Sequence, residues 1–240
     1  MAYFTDIHLH ALYGVDDGAR TREDMLALVQ NVYQQGTRYM CVTPHFHPGY
    51  FPKSTRESTD AVFAELAEYA QYNLPDMHLA IGNELRYSKD CTSWLNAGLC
   101  RTMNGTDYVL VDFLEHEEGL VIIKAMDQLM NAGYTPVLAH VERYRNLSRN
   151  IKELKQFSAN GVILQMNAAS LCGAEGFFKK EYCKKLIKNG LVDLVSSDGH
   201  NLAGRPPQME QAYAVLQKLA GLKVADDLCS RHARSLFWAT

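Results

Sequence analysis

Residues 21–47, TREDMLALVQNVYQQGTRYMCVTPHFH, pass through three patterns in turn. Thr21 and Asp24 have the spacing of a capping box, Met25, Leu28, Val29 and Val32 fall on one helical face, and Gly36 supplies the stop. A short apolar run follows, Tyr39-Met40-Cys41-Val42, and it ends in the polar tip Thr43-Pro44-His45-Phe46-His47. The same order recurs after Gly133, Gly161 and Gly190, with apolar runs at 136–139, 162–164 and 191–195. Adding 4–7, 79–81 and 108–111 gives seven predicted strands, spaced by about 26 to 38 residues as helical crossovers between parallel strands require. The fold class is therefore α/β, and seven such units predict a parallel barrel rather than an open sheet.

The 240 residues, 47% of them hydrophobic, suffice for one core, so a single domain over 1–240 is expected. Lys and Arg number 24 against 27 Asp and Glu, a net charge of -3, which leaves no basic surface for a nucleic-acid partner. No apolar run approaches the roughly 18 residues of a membrane span. The opening Met1-Ala2-Tyr3-Phe4-Thr5-Asp6 lacks a basic region followed by an apolar one. No membrane insertion and a cytoplasmic location are expected. Cys41, Cys91, Cys100, Cys172, Cys183 and Cys229 show no Cys-x-x-Cys spacing and read as reduced thiols. None is followed by Arg six positions on, which excludes the Cys-x5-Arg chemistry of thiol-based phosphatases. The polar segment from about 49 to 58 is the expected mobile loop over a site. Residues 222–240 give no reading, and neither does the oligomeric state.

Each predicted strand delivers a polar residue at its C-terminal end: His8 and His10, His45, Glu84, Asp112, His140, Asn167, then Asp198 and His200. In a parallel barrel those ends share one face, where active sites are built. His8 and His10 are two apart, so a strand points both to one side, and Asp198 and His200 repeat the spacing. A lone His-x-His pair says little, and any one of these imidazoles could simply cap a strand. So many imidazoles and carboxylates on one face would be costly to desolvate without cations. Mixed nitrogen and oxygen ligands with no thiolate suit two or three ions of manganese, iron or zinc. Arg143 and Arg205 follow on loops leaving metal-bearing tips, and their planar guanidinium groups suit phosphate.

Taken together, His8-Leu9-His10, Asp16-Asp17-Gly18, Thr43-Pro44-His45, Gly82-Asn83-Glu84, Ala139-His140-Val141-Glu142-Arg143 and Ser197-Asp198-Gly199-His200 resemble the polymerase-and-histidinol-phosphatase (PHP) superfamily. Within it the chain is most similar to the manganese-dependent protein tyrosine phosphatases of bacterial capsule and exopolysaccharide operons, in order from about residue 5 to 207. The resemblance implies a distorted (β/α)7 barrel with three divalent ions, manganese in the first place and iron or zinc as alternatives. It implies a first site of His8, His10, Glu84 and Asp198, a second of Glu84, Asp112 and His140, and a third of Asp17, His45 and His200. Arg143 and Arg205 match the family's phosphate-binding arginines. Leu9 stands where the family usually has Ser, Phe46 for a frequent second His, Val141 for Pro, Gly199 for Ala and Asp112 for Glu. Asp112 is one methylene shorter, and Glu115, Glu117 and Glu118 lie downstream as candidate substitutes, although they read first as a solvated acidic loop. His47, His78, His116 and His232 match no ligand position, although His47 is close enough in sequence to line the pocket. Trp94 and Trp238 read as packing residues.

The expected activity is hydrolysis of a phosphate monoester by a metal-bound hydroxide, with Arg143 and Arg205 clamping the phosphate. His200 is also a candidate for assisting protonation, although a tyrosine phenolate, with a pKa of about 10, is a fair leaving group unaided. The resemblance implies phosphotyrosine on a cognate bacterial tyrosine kinase as substrate, hence control of polysaccharide export. Rival expectations are a histidinol-phosphate-like small-molecule phosphatase, an exonuclease disfavoured by the charge, and a regulatory module that binds metal or phosphate without turnover.

Overall fold

The computed structural model describes residues 3–148 and 151–238; Met1, Ala2 and the last two residues, used above for the chain ends, lie outside them. The helix Arg22–Gln34 begins as expected: Asp24 N donates to Thr21 Oγ1 and Thr21 N to the Asp24 carboxylate, both at 3.2 Å. It buries Met25, Leu28, Val29 and Val32 against the sheet. Gly36, at φ +102°, reverses the chain in a conformation that disfavours any Cβ, and the strand Thr37–Val42 follows at once.

Among the described residues there are nine strand segments: β1 (Phe4–Asp6), β2 (Thr37–Val42), β3 (His45–Phe46), β4 (His78–Ile81), β5 (Glu84–Arg86), β6 (Tyr108–Asp112), β7 (Thr135–Leu138), β8 (Ile163–Asn167) and β9 (Leu194–Ser196). All pairings are parallel, in two sheets ordered β1-β2-β4 and β3-β5-β6-β7-β8-β9. The sheets are continuous in space. Gly82 N donates to Val42 O at 2.9 Å and Glu84 N to Pro44 O at 3.2 Å, so β2 runs on into β3 and β4 into β5. Pro44 has no N–H to give, which is where the ladder breaks. On the other edge, Asp198 N donates to His8 O at 2.8 Å and His10 N to Gly199 O at 2.9 Å. The segments thus form seven staves, as the seven predicted strands required, curled until the first meets the last.

Ile7, Cys41, Leu110, Val137 and Leu194 fill the inside of the curl. Phe237 and Ala233, from the helix His232–Phe237, join them, and Asn104 Nδ2 donates to Phe237 O at 2.6 Å. Part of the terminal segment that gave no reading in sequence, Ala233 and Phe237 among the described residues, therefore belongs to the core. The expected loop from about 49 to 58 is shorter than predicted, because Thr55 caps the helix Arg56–Asn73; the Phe51 ring in it stacks on His45 at 4.4 Å.

Candidate metal centre

Apart from Asp17 and the two arginines, the predicted site residues sit close to where a strand ends or its continuation begins. His8 and His10 follow β1, Asp17 lies in the next loop, and His45 and Glu84 open β3 and β5, where they are direct partners in register. Asp112 closes β6, His140 follows β7, and Asp198 and His200 follow β9. His140 and Asp198 hold φ angles of +35° and +51°, a strained conformation for residues with a Cβ, of the kind that concentrates at functional sites. Gly18 is obligatory: a Cβ there would lie 2.1 Å from His10 O.

Four donor atoms converge behind the pocket. His8 Nε2 is 3.2 Å from both His10 Nε2 and Glu84 Oε2, and 3.4 Å from Asp198 Oδ1. His10 Nε2 is 3.1 Å from Glu84 Oε2 and 3.5 Å from Asp198 Oδ1. Ligands held about 2.1 Å from one ion stand roughly 3.0 to 3.4 Å apart, so this spacing is what a shared cation imposes. A second group comprises Asp17, His45 and His200, with His10 in reach; Asp17 Oδ1 is 3.6 Å from His45 Nε2 and 3.4 Å from His200 Nε2. In a third, His140 Nε2 is 3.0 Å from Glu84 Oε1 and 3.9 Å from Asp112 Oδ2, while His45 Nδ1 approaches Glu84 Oε2 at 3.0 Å. Glu84 Oε2, His45 Nδ1, Asp112 Oδ1, His140 Nδ1 and His200 Nε2 are buried without a hydrogen bond, so the donor set fits divalent cations.

The far sides of the His8 and His10 rings are held by groups whose role the sequence reading missed. His10 Nδ1 meets Asp16 Oδ2 at 2.8 Å, and that oxygen also accepts from His45 N at 2.9 Å. Gln165 Oε1 meets His8 Nδ1 at 3.1 Å and accepts from His140 N at 2.8 Å. Asn167 accepts from Gln165 Nε2 and donates to Asp198 Oδ2 at 2.7 Å, so its place is support of a ligand. Such partners fix ring orientation and tautomer. The signal was present: Gln165 and Asn167 are two apart on one strand, hence on one side.

Burial opposes charge on Glu84 and Asp198, yet the neighbouring imidazoles, His8 foremost, hold both carboxyls well below the usual range. Burial likewise pulls His8 and His10 down, but adjacent carboxylates outweigh it and both end raised. Asp112 differs: burial and the Glu84 charge push it up against the pull of Arg86.

Arg143 and Arg205 reach the same centre. Arg143 Nη1 lies 3.1 Å and Arg205 Nη2 2.9 Å from Asp198 Oδ2, and Glu175 Oε1, also missed in sequence, accepts from Arg143 Nη2 at 3.1 Å. With Arg86, His45 and Glu84 they line a cavity of about 330 Å³, which shares Arg143, Asp198 and Arg205 with a neighbouring one of about 520 Å³. A further cavity of about 540 Å³, beside the Arg101–Asp60 ion pair, contains none of these groups.

The remaining candidates fall elsewhere. His47 Nδ1 accepts from Gly49 N at 3.0 Å and the ring packs edge-on against Trp94, so it shapes a turn and is absent from the cavity lining. His78 stacks on Tyr39, and His232 Nδ1 meets Asp193 O at 3.0 Å. Glu115 lines both site cavities but pairs with Arg145 at 3.0 Å, and Glu118 precedes the helix Gly119–Asn131; neither replaces Asp112.

The family described as capsular polysaccharide synthesis, CpsB/CapC, matches residues 4–237. Tyrosine-protein phosphatase CpsB of Streptococcus pneumoniae is 33% identical over 236 residues, covering 96% of this chain and 97% of its own. Tyrosine-protein phosphatase YwqE of Bacillus subtilis is 30% identical over 219 residues, 90% of this chain and 85% of its own. A crystal structure from work on YwqE of Bacillus subtilis and CpsB of Streptococcus pneumoniae, described there as unique metal-dependent tyrosine phosphatases, superposes with a TM-score of 0.86 at 28% identity. It covers 98% of this chain and 94% of that one.

Proposed function

The chain belongs to the CpsB/CapC family of capsular polysaccharide synthesis, and on that footing we propose that the pocket at its strand tips is the active site of a metal-dependent protein tyrosine phosphatase. Its substrate is phosphotyrosine on a protein, and a cognate bacterial tyrosine kinase of capsule or exopolysaccharide synthesis is the partner. The observation that carries the reading is the convergence of His8 Nε2 and His10 Nε2, 3.2 Å apart, on Glu84 Oε2 and Asp198 Oδ1 at 3.1 to 3.5 Å, with Glu84 Oε2 buried and without a hydrogen bond.

Three divalent ions, manganese by preference, would be held by His8, His10, Glu84 and Asp198; by Glu84, Asp112 and His140; and by Asp17, His45 and His200. When bound, such ions acidify water toward neutral pH and supply positive charge to a transferring phosphoryl group. The chain's own part is positioning. Arg143 and Arg205, which share Asp198 Oδ2, exchange that contact for phosphate oxygens and hold the ester in line. Glu175 keeps the Arg143 fork pointed inward through Nε at 3.2 Å and Nη2 at 3.1 Å. His200 Nε2, buried and without a hydrogen bond, faces Asp17 at the cavity edge. No helix among the described residues is long and apolar enough to cross a membrane, and the six free thiols agree with a cytoplasmic protein.

His8→Ala and Asp198→Ala each remove a ligand atom and should abolish release of phosphate from a phosphotyrosyl peptide while circular dichroism still shows the native fold. Full turnover by either variant rejects the assignment, and faster turnover of histidinol phosphate than of the peptide moves the substrate to a small molecule.

A further inference from the structure

We propose that Arg86 acts as a built-in cation on Asp112, so that the ion shared by Glu84, Asp112 and His140 is the loosest of the set and exchanges with solvent while the others stay. The proposal rests on the metal-dependent reading and concerns a residue that reading does not use. Glu84 and Arg86 are two apart on β5, so both side chains point to the same side of the sheet. Arg86 is the direct partner of Asp112 in the β5–β6 ladder, and its Nη2 sits 3.0 Å from Asp112 Oδ2. The side chains are 22% and 4% exposed, so water screens the pair only weakly. The backbone register, and not a flexible loop, holds the guanidinium there.

Three consequences weaken the second position. Asp112 is one methylene shorter than the Glu of the family it resembles, and it stands 3.9 Å from His140 Nε2, whereas Glu84 stands 3.0 Å from the same atom. One of its two oxygens is already engaged, and only Oδ1 is left buried and unpartnered. A fixed positive charge a few ångströms away repels a divalent ion. The first position is better supplied: Arg143 and Arg205 also touch Asp198 on Oδ2, but there Oδ1 is joined by His8 Nε2, His10 Nε2 and Glu84 Oε2, with every imidazole–carboxylate distance between 3.1 and 3.5 Å.

The test is manganese content of the full chain, loaded and then desalted, by inductively coupled plasma mass spectrometry. The wild-type chain should retain two ions and regain the third only in excess free manganese. Arg86→Gln should retain three, its weakest dissociation constant lowered about tenfold, while Arg86→Lys, which keeps the charge, stays at two. Retention of three ions by the wild type overturns the proposal, and so does a folded Arg86→Gln that retains no more than wild type. Should Arg86→Gln fail to fold, calorimetric titration of the wild type decides alone: three equally tight ions overturn it, and one weak step that Asp112→Asn removes supports it. Peptide hydrolysis on the same samples separates the two readings. The stated stoichiometry without any hydrolysis would sink the phosphatase assignment and leave the role of Arg86 intact.

Discussion

Asp198 divides its labour between its oxygens. Oδ1 faces His8, His10 and His200, and Oδ2 accepts from Asn167 and Arg205 and forms an ion pair with Arg143. The two arginines are thereby parked beside the place where the proposed mechanism brings the phosphate. Arg205→Ala deletes a charge-assisted contact worth about 1.5 to 3 kcal/mol, so KM for a phosphotyrosyl peptide and the inhibition constant of free phosphate should both rise about 10- to 100-fold. Unchanged values in steady-state assays would remove Arg205 from the site. Glu142 tells a different story beside Arg143. Burial pushes its carboxyl up to about 7 although Arg143 pulls the other way, and Oε2 has no hydrogen bond. An unfolded Glu titrates near about 4.3, so between those values the native chain keeps a proton that the unfolded chain has lost. This contribution is therefore complete below about pH 4.3 and disappears as pH rises through about 7, a loss on the order of 3 kcal/mol. Glu142→Gln cannot ionise. Its melting temperature should gain on that of wild type from pH 5 to pH 8, and a constant gap would refute the assignment.

At the level of the elements, two of the departures from the family pattern explain each other. Leu9 and Gly199 are bridged partners across the seam where the barrel closes, and a Cβ at Gly199 would lie 3.0 Å from Leu9 Cδ1 and 3.2 Å from Ser197 Oγ. Leu9 stands where the resemblance implies Ser and Gly199 where it implies Ala, a pairing that would move bulk from one side of the seam to the other. Gly199→Ala alone should cost about 1 to 3 kcal/mol by overpacking, and should cost much less in a Leu9→Ser background. Urea denaturation of the four chains measures the coupling; additive effects would show that the swap is not compensatory. The pairing of Arg86 with Asp112 is likewise an element-level device, since the β5–β6 register brings them together.

Over the whole molecule, the site face and the opposite end of the barrel are built by different parts of the chain. Phe237, 2% exposed, reaches the inner cluster of Ile7, Leu110, Val137 and Leu194 from a helix that touches no predicted ligand. Phe237→Ala should lower stability by about 3 to 5 kcal/mol, visible as a drop in melting temperature, while the folded fraction keeps its kcat. Equal melting temperatures would show that the terminal helix is dispensable.

The sequence by itself determined the α/β class, the seven-fold count of strands and the identity of nearly every polar group at their tips. It could do so because capping, periodicity and glycine stops are local, and because residues two apart on a strand share a side whatever surrounds them. Residues 222–240 were opaque, since their helices are fixed by contacts with strands far away in sequence. The breaks at Pro44 and at Gly82-Asn83 were opaque for the converse reason: two- and three-residue segments carry no periodicity of their own. Only the tertiary structure decided which oxygen of Asp198 faces which partner, that Asp16 and Gln165 brace the imidazoles, that His47 stands outside the cavity, and that Arg86 lies on Asp112. Those outcomes depend on strand register and distances of a few ångströms between chain segments, quantities that no single stretch of the chain encodes.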